Sequence, residues 1–122
     1  MAIDPRGADL KRFMAEDTGG PFVMLNLLRF AEGKDGQYAE YARRTVEFVS
    51  RYGGDLLYFG DGSTVLVAET GQEWDAVMLV RYPSREAFSR MVADPDYQAV
   101  SHLRSGALTE AVLQATTPRS TA

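Results

Sequence analysis

Two strand-length segments of this sequence have no polar face, and this feature limits the folds open to the chain more than any other. The first is PFVMLNLLRF, residues 21–30, which lies between Gly19-Gly20 and Gly33. Successive side chains of a strand point to opposite faces, yet both alternating sets are apolar here. The second, WDAVMLVRY at residues 74–82, also has few polar residues. Both strands therefore need to be covered on two sides.

Elsewhere the apolar residues recur with the period of a helix. Residues 37–52 carry apolar side chains at three- and four-residue steps with charged ones opposite, and Gly53 supplies a left-handed stop. Ser84 caps a second helical region, and Asp94-Pro95 starts a third with Asp as cap and Pro at the first position. A short helix with Asp9 as its candidate cap precedes the first strand.

The remaining segments complete a β-α-β-β-α-β order with an extra helix in front. Residues 55–70 read as a long strand broken at 60–62, and the last strand is expected at 111–116. This is the ferredoxin-like α+β arrangement, in which the first and third strands are central and the helices cover one face of an antiparallel sheet. The length predicts a single domain, residues 1–122, with its core at about 20–117.

The sheet face without helices predicts a partner. An antiparallel sheet with one wet face alternates apolar and polar residues, and the central strands do not. Left open, this face would be an apolar patch larger than monomers normally expose. A second copy packed sheet against sheet across a two-fold axis would cover it, so the sequence predicts a homodimer formed through the sheet face.

Composition narrows the partners and the location. The formal charge of −4 disfavours nucleic acid and anionic membranes, and the absence of cysteine excludes disulfides and thiolate metal sites. No apolar run reaches the length of a signal peptide core or a membrane span, so the expected location is the cytoplasm. Residues 1–8 and 117–122 are expected to fray.

Four segments together resemble a known family, an uncharacterised branch of the dimeric α/β-barrel superfamily. This superfamily also includes the antibiotic-biosynthesis monooxygenases and the chlorite dismutase-like and muconolactone isomerase-like proteins. The segments are VMLNLLRF at 23–30, the Tyr38/Tyr41 helix ending in Gly53-Gly54, WDAVMLVRYPSREAF at 74–88 and DPDYQAVSHLR at 94–104. The resemblance covers residues 20–117. It implies a pocket for a small organic substrate between sheet and helices, and a site that needs neither metal nor flavin, as in several relatives.

Asn26 and Tyr41 are the first candidates for such a pocket. Asn26 interrupts an apolar central strand, where an unsatisfied amide would cost about 1–3 kcal/mol. Its side chain either anchors a ligand or oxygen species at the pocket floor or bonds a neighbouring backbone group. The resemblance favours the first, because the family pattern has Asn at this position. Tyr41, on the apolar side of the main helix, either points its hydroxyl into the sheet–helix space or is simply buried with one bond.

Three further residues have both a functional and a structural interpretation. Trp74, on one face of its strand with Tyr82, either lines a cavity or packs in the core or dimer interface. His102, the single histidine, is either a general base or an exposed cation near a helix end. Arg104 either binds a substrate carboxylate or complements a helix dipole.

Two functions follow from these residues. The first is an enzyme without a bound cofactor, an oxygenase or an isomerase acting on a small hydrophobic or phenolic molecule. In it Asn26 would hold a developing oxyanion, and His102 or Tyr41 would move protons. The second is a non-catalytic sensor or carrier that uses the same pocket. An RNA-binding sheet would need exposed aromatics among basic residues, which the acidic composition opposes.

Overall fold

Helices cover one face of a four-stranded antiparallel sheet in the computed structural model, which describes residues 3–119. The strand order β2-β3-β1-β4 puts the first and third strands in the centre, which confirms the predicted ferredoxin-like α+β fold. The elements are α1 (Gly7–Ala15), β1 (Phe22–Phe30), α2 (Asp35–Arg51), β2 (Asp55–Asp61), β3 (Ala76–Tyr82), α3 (Arg85–Ala93), α4 (Pro95–Ser105) and β4 (Leu108–Thr116).

The predicted helix stop at Gly53 and the predicted caps at Ser84 and Asp94 are confirmed, although α2 begins two residues earlier than predicted. Gly53 has φ of +82° directly after α2, the left-handed conformation that ends helices. The Ser84 hydroxyl accepts a hydrogen bond from the Ala87 amide at 3.0 Å, and Asp94 accepts one from the Asp96 amide at 2.9 Å. For α1 the prediction is wrong by one turn. Asp9 is not the cap but the third helical residue, where it accepts a bond from the Arg6 amide.

The two faces of the central strands differ in what covers them. On the inner face, toward the helices, every side chain of β1 and β3 from Phe22 to Leu28 and from Ala76 to Tyr82 is buried. On the outer face the same strands present apolar side chains that no described residue covers completely: Val23, Leu25, Leu27, Val77 and Leu79. Both faces of the central strands are therefore apolar, as predicted, and only the inner one is packed within the chain.

The connection between β2 and β3 differs from its prediction. The strand expected to reach Thr70 ends at Asp61, and the register shift in β2 lies between Leu56 and Tyr58 rather than at Gly60–Gly62. Residues 62–75, named the arm below, have no regular secondary structure. The Gly62 amide donates to the Asp75 carbonyl at 2.7 Å, which closes the base of the arm. A Cβ at position 62 would lie 2.0 Å from the Trp74 carbonyl oxygen, so glycine is required for this approach.

The N-terminal end is more ordered than predicted. Ile3 and Asp4 are bonded to α4, so the expectation of fraying fails for this part of residues 1–8. Residues 1–2 and 120–122, which also fall within the predicted frayed ends, lie outside the described residues. Among residues 3–119, none of the helices combines the length and the apolar character that crossing a bilayer requires.

Candidate functional site

A cavity of about 440 Å³ lies between the inner face of the sheet and the helices, within the size range of small-molecule sites. Its floor on β1 and β3 includes Met24, Asn26 and Met78. Side chains of α2 and α4 form the opposite wall, and the exposed residues Asp4 and Pro5 stand at its rim. The cavity is thus mostly apolar, with a few polar groups from distant parts of the chain.

Asn26 is buried in the floor, with 5% of its surface exposed. Its Nδ2 donates to the backbone carbonyls of Met24 and Met78, both at 3.4 Å, at the long limit for a hydrogen bond. Among the described residues no group donates to Oδ1. The amide nitrogen is therefore turned toward the backbone, and Oδ1 is the atom that a ligand can engage, as an acceptor for a hydroxyl or amine hydrogen.

Two tyrosine hydroxyls form a pair on the helical wall. Tyr41 on α2 and Tyr97 on α4 have hydroxyl oxygens 2.6 Å apart. One hydroxyl hydrogen is used within the pair, so the other can be donated to a ligand. Burial, with smaller contributions from Tyr41, raises the pKa of Tyr97 far above the ordinary phenol value. Tyr97 therefore keeps its proton near neutral pH, where it can act as a hydrogen-bond donor but not as a base.

Thr45 and Arg104 bring polar atoms to this wall that have no partner among the described residues. These atoms are Thr45 Oγ1 and Arg104 Nη2, both fully inaccessible. Arg104 is only 6% exposed, and a buried donor without an acceptor costs about 1–3 kcal/mol. Both residues line the cavity, so an acceptor bound there would have a charged and a neutral donor nearby.

Of the two terminal nitrogens of the Arg104 guanidinium, only one has a hydrogen-bond partner among the described residues. Nη1 donates to the Ile3 carbonyl at 2.7 Å and to Asp4 Oδ1 at 2.8 Å. Ser105 donates to the same carboxylate, at 2.9 Å to Oδ2. The N-terminal segment thus supplies the acceptors for the buried cation.

Two other sequence-predicted residues, Trp74 and His102, lie outside this cavity. Trp74 precedes β3, in the arm, where the Arg29 guanidinium carbon lies 4.5 Å from its ring centroid. His102 is exposed on α4, whereas Tyr82 lines the cavity from β3. Within residues 3–119, no three His, Asp or Glu side chains converge as ligands of a metal ion would.

Sequence reasoning left Thr45 and Tyr97 out of the candidate site. Both occupy positions on the apolar sides of their helices, so the pattern assigned them to the core. What could have identified them is a polar oxygen at a position that the helical pattern predicts to be buried. The same kind of observation, a polar group in a buried strand, identified Asn26.

The fold and the cavity define a ferredoxin-like α+β protein with a small-molecule-sized space between sheet and helices. The chain belongs to the family described as a domain of unknown function (DUF1330), which matches residues 28–116. This confirms the predicted uncharacterised branch. No curated protein sequence matches the chain significantly.

Solved structures place this fold among known ones. The crystal structure of RPA0582, a protein of unknown function from Rhodopseudomonas palustris, is 31% identical with a TM-score of 0.88, covering 97% of each chain. SnoaB, a cofactor-independent oxygenase from Streptomyces nogalater, is 17% identical with a TM-score of 0.60, covering 84% of this chain and 97% of its own. A dimeric ferredoxin-like protein of unknown function from Thermobifida fusca is 14% identical with a TM-score of 0.56, covering 83% and 93%. The last two likenesses concern the fold alone.

Proposed function

We propose that the chain is one subunit of a homodimer and binds a small aromatic, phenol-like molecule in the sheet–helix cavity. The observation that carries this proposal is the set of buried polar groups around an apolar space of about 440 Å³. Thr45 and Arg104 each have an atom without a partner among residues 3–119, and buried polar groups normally have one. A ligand with oxygen atoms would supply the missing partners.

The walls of the cavity match an aromatic ring. Met24, Met78, Met91, Phe88 and Tyr82 contribute apolar and aromatic surface, and methionine adapts to flat rings through its flexible, polarizable side chain. A phenolic hydroxyl on the floor would donate to Asn26 Oδ1. The ring would then lie between floor and wall, with its other substituents toward α2 and α4.

The proposed reaction is oxygenation or isomerisation without a bound cofactor, a chemistry that the SnoaB description states for that protein. Both reactions pass through an oxyanion: an enolate when a carbon next to a carbonyl loses a proton, or a phenolate when a phenol loses its hydroxyl proton. The donors that could stabilise this oxyanion are on the helical wall: the Tyr41–Tyr97 pair and Thr45. Asn26, expected from the sequence to hold the oxyanion, is instead proposed to orient the ligand through Oδ1.

A non-catalytic sensor or carrier is the alternative, and one observation favours it. Proton removal requires a base, and among the described residues that line the cavity the one carboxylate is Asp4, at the rim. Burial raises the pKa of both Tyr82 and Tyr97, so their hydroxyls stay protonated near neutral pH and are not bases. His102, the other candidate base, is exposed on α4. Binding without turnover would need no base.

A matched pair of probes tests the cavity. p-Cresol should stabilise the protein more than toluene, which lacks the hydroxyl. In Asn26→Leu, the difference in stabilisation between the two probes should be at least fivefold smaller. A hundredfold excess over Kd corresponds to about 2.7 kcal/mol of added stability. Oxygen uptake and exchange of ring-adjacent hydrogens for deuterium distinguish the enzyme from the carrier. Failure of both probes to shift unfolding, with no small molecule retained on purification, would contradict the proposal.

The homodimer is proposed from the outer face of the sheet. The chain exposes 7744 Å², whereas folded monomers of this mass expose about 6,500 Å². The surplus of about 1,200 Å² exceeds the roughly 800 Å² that each partner buries in a standard interface. Charges at the border of the outer face are already paired, Arg29 with Glu110 and Arg81 with Asp55, so covering them leaves no lone charge. The Thermobifida fusca structure is described as dimeric.

The arm carries a second exposed apolar surface, which also supports the homodimer. Leu66 and Val67 are 92% and 95% exposed. Backbone and side-chain hydrogen bonds hold the base of the arm, including those from Arg29 Nη2 to the Gly71 and Glu73 carbonyls at 3.1 and 2.6 Å. An anchored segment with an apolar tip is suited to reach a neighbouring subunit.

Sedimentation of two matched variants tests the dimer. Leu25→Glu on the outer face should shift the mass from dimer to monomer at micromolar concentration, because it buries a charge in the interface. Val46→Glu makes the same change at an exposed site on α2 and should leave the dimer intact. Leu66→Ser with Val67→Ser should weaken association at least tenfold if the arm contacts the partner. A monomeric, well-folded wild-type protein would exclude the dimer.

A further inference from the structure

We propose that the cavity takes a small organic anion whose carboxylate replaces Asp4 as the acceptor for Arg104. This inference rests on the proposed ligand-binding function and specifies its ligand class. It also gives the N-terminal segment a role as a displaceable cover.

The contact between Arg104 and Asp4 leaves the guanidinium incompletely used. One nitrogen, Nη1, serves both the Ile3 carbonyl and Asp4 Oδ1, while Nη2 has no acceptor within the described chain. Once Asp4 and its segment are displaced, an incoming carboxylate can bind both terminal nitrogens side by side, the arrangement that arginine and carboxylates favour. The contact that Asp4 makes with Arg104 is therefore weaker than the contact that such a carboxylate would make.

The two members of this ion pair differ in how they are held. The Arg104 side chain is 7% exposed and fixed on α4, whereas the Asp4 side chain is 54% exposed. Among the described residues, the other partner of the Asp4 carboxylate is the Ser105 hydroxyl, whose oxygen lies 3.1 and 2.9 Å from the two carboxylate oxygens. Water can solvate the Asp4 carboxylate once it leaves, but Arg104 stays in the wall and needs a replacement acceptor.

The helix that follows Asp4 is loosely attached. No residue of α1 is buried, and its attachment centres on Phe13, whose ring lies 5.5 Å from those of Phe22 and Phe88 and whose carbonyl accepts from Arg85 Nη1 at 2.7 Å. Segments with few buried contacts open at low free energy. Pro5 and Leu10 line the cavity from this segment, so its displacement would widen the entrance beside Arg104.

The inference is tested with 4-hydroxybenzoate and 4-hydroxybenzamide, which differ in the charge of one substituent. The wild-type protein should bind the carboxylate at least tenfold more tightly. Asp4→Asn should raise carboxylate affinity roughly three- to tenfold, because the internal competitor is removed, and should leave amide affinity unchanged. Glu47→Gln is the matched control, since this exposed carboxylate on α2 pairs with Arg51 at 3.4 Å, lies outside the cavity lining and should alter neither affinity.

Arg104→Gln should abolish the preference for the carboxylate. Because this buried substitution could impair folding, Arg104→Lys is the second variant: it keeps the charge, loses the fork and should retain only part of the preference. Amide hydrogen exchange supplies an independent readout. Binding of the carboxylate should accelerate exchange in residues 3–10, whereas the amide should not.

The remaining outcomes distinguish failure of the anion inference from failure of the proposed ligand site. Equal affinity for the two probes would overturn the anion inference and leave the proposed aromatic ligand site standing. Unchanged or weaker carboxylate binding in Asp4→Asn would overturn the exchange with Asp4. Binding of neither probe, together with failure of p-cresol, would remove both proposals.

Discussion

The hydroxyl oxygens of Tyr41 and Tyr97 lie 2.6 Å apart and join α2 to α4 at the wall of the cavity. The residues are 56 positions apart in the sequence. Their rings meet edge to face, with centroids 6.3 Å apart, so the hydrogen bond and the ring contact fix the same helix–helix geometry.

This pair should show energetic coupling. Tyr41→Phe leaves the Tyr97 hydroxyl buried without its partner and should lower the free energy of unfolding by about 1–2 kcal/mol. The double variant Tyr41→Phe/Tyr97→Phe should lose less than the sum of the two single variants, since it removes both polar groups. Urea unfolding of the four proteins measures the cycle. Strict additivity would show that the hydroxyls do not interact in solution.

The buried tyrosines should make the protein sensitive to alkali. Burial raises the pKa of Tyr38, Tyr82 and Tyr97 above the ordinary value. A raised pKa means that the folded state holds the proton more tightly than the unfolded state. The stability that the protonated tyrosines contribute is therefore complete below about pH 10 and is lost as the pH rises further. Their phenolate absorbance should therefore appear together with loss of helical circular dichroism. Ionisation of all six tyrosines in a folded protein would contradict this burial.

Acid sensitivity should depend on Asp94. The Tyr52 hydroxyl donates to this carboxylate at 2.8 Å, and together with the Asp96 amide it lowers the pKa of Asp94. A lowered pKa gives stability that is present above about pH 4 and is lost as the pH falls through the folded-state value.

Asp94→Asn separates charge from capping, because Asn caps helices about as well as Asp. The variant should be less stable than wild type at pH 6, and the gap should close at pH 3. Asp96→Asn, on a neighbouring exposed carboxylate, should keep the wild-type pH dependence. Urea midpoints at pH 6, 4.5 and 3 provide the measurement. Parallel pH curves for wild type and Asp94→Asn would refute the assignment.

Two glycine-to-alanine substitutions should change the stability of the protein in opposite directions. A Cβ at Gly54 would lie 2.6 Å from the Arg81 carbonyl oxygen and 2.9 Å from Val49 Cγ1, so Gly54→Ala should destabilise the protein by about 1–3 kcal/mol. Gly36 lies in α2 with open space around the same position, and Gly36→Ala should stabilise it by about 0.5 kcal/mol. Thermal unfolding of both variants is sufficient. A neutral Gly54→Ala would mean that β3 and the end of α2 are less tightly packed than described.

Much of the fold is already present in local patterns. The apolar runs at 21–30 and 74–82 identify the two central strands, because only strands covered on both faces lack a polar side. Ser84, Asp94 and Gly53 mark helix ends through bonds and backbone conformations that involve immediate neighbours. These features could be predicted since the interactions that decide them lie within a few residues.

The arm could not be predicted in this way. Its sequence from Gly62 to Thr70 has the β-branched and apolar residues of a strand, but the paired backbone that would make it one is missing. Pairing ends where Asp61 meets Ala76. Strand formation depends on a partner segment in register, which local composition does not specify.

The sequence by itself determined the order of strands and helices, the apolar character of both sheet faces and the burial of Asn26 in a central strand. Only the tertiary structure decided which polar groups share the cavity. His102 and Arg104 are two residues apart, but about 200° of helical rotation separates their side chains, so one is exposed and the other is buried. The partner of Arg104 is Asp4, 100 positions away. Such meetings are set by how helices pack on the sheet, and no local pattern encodes them.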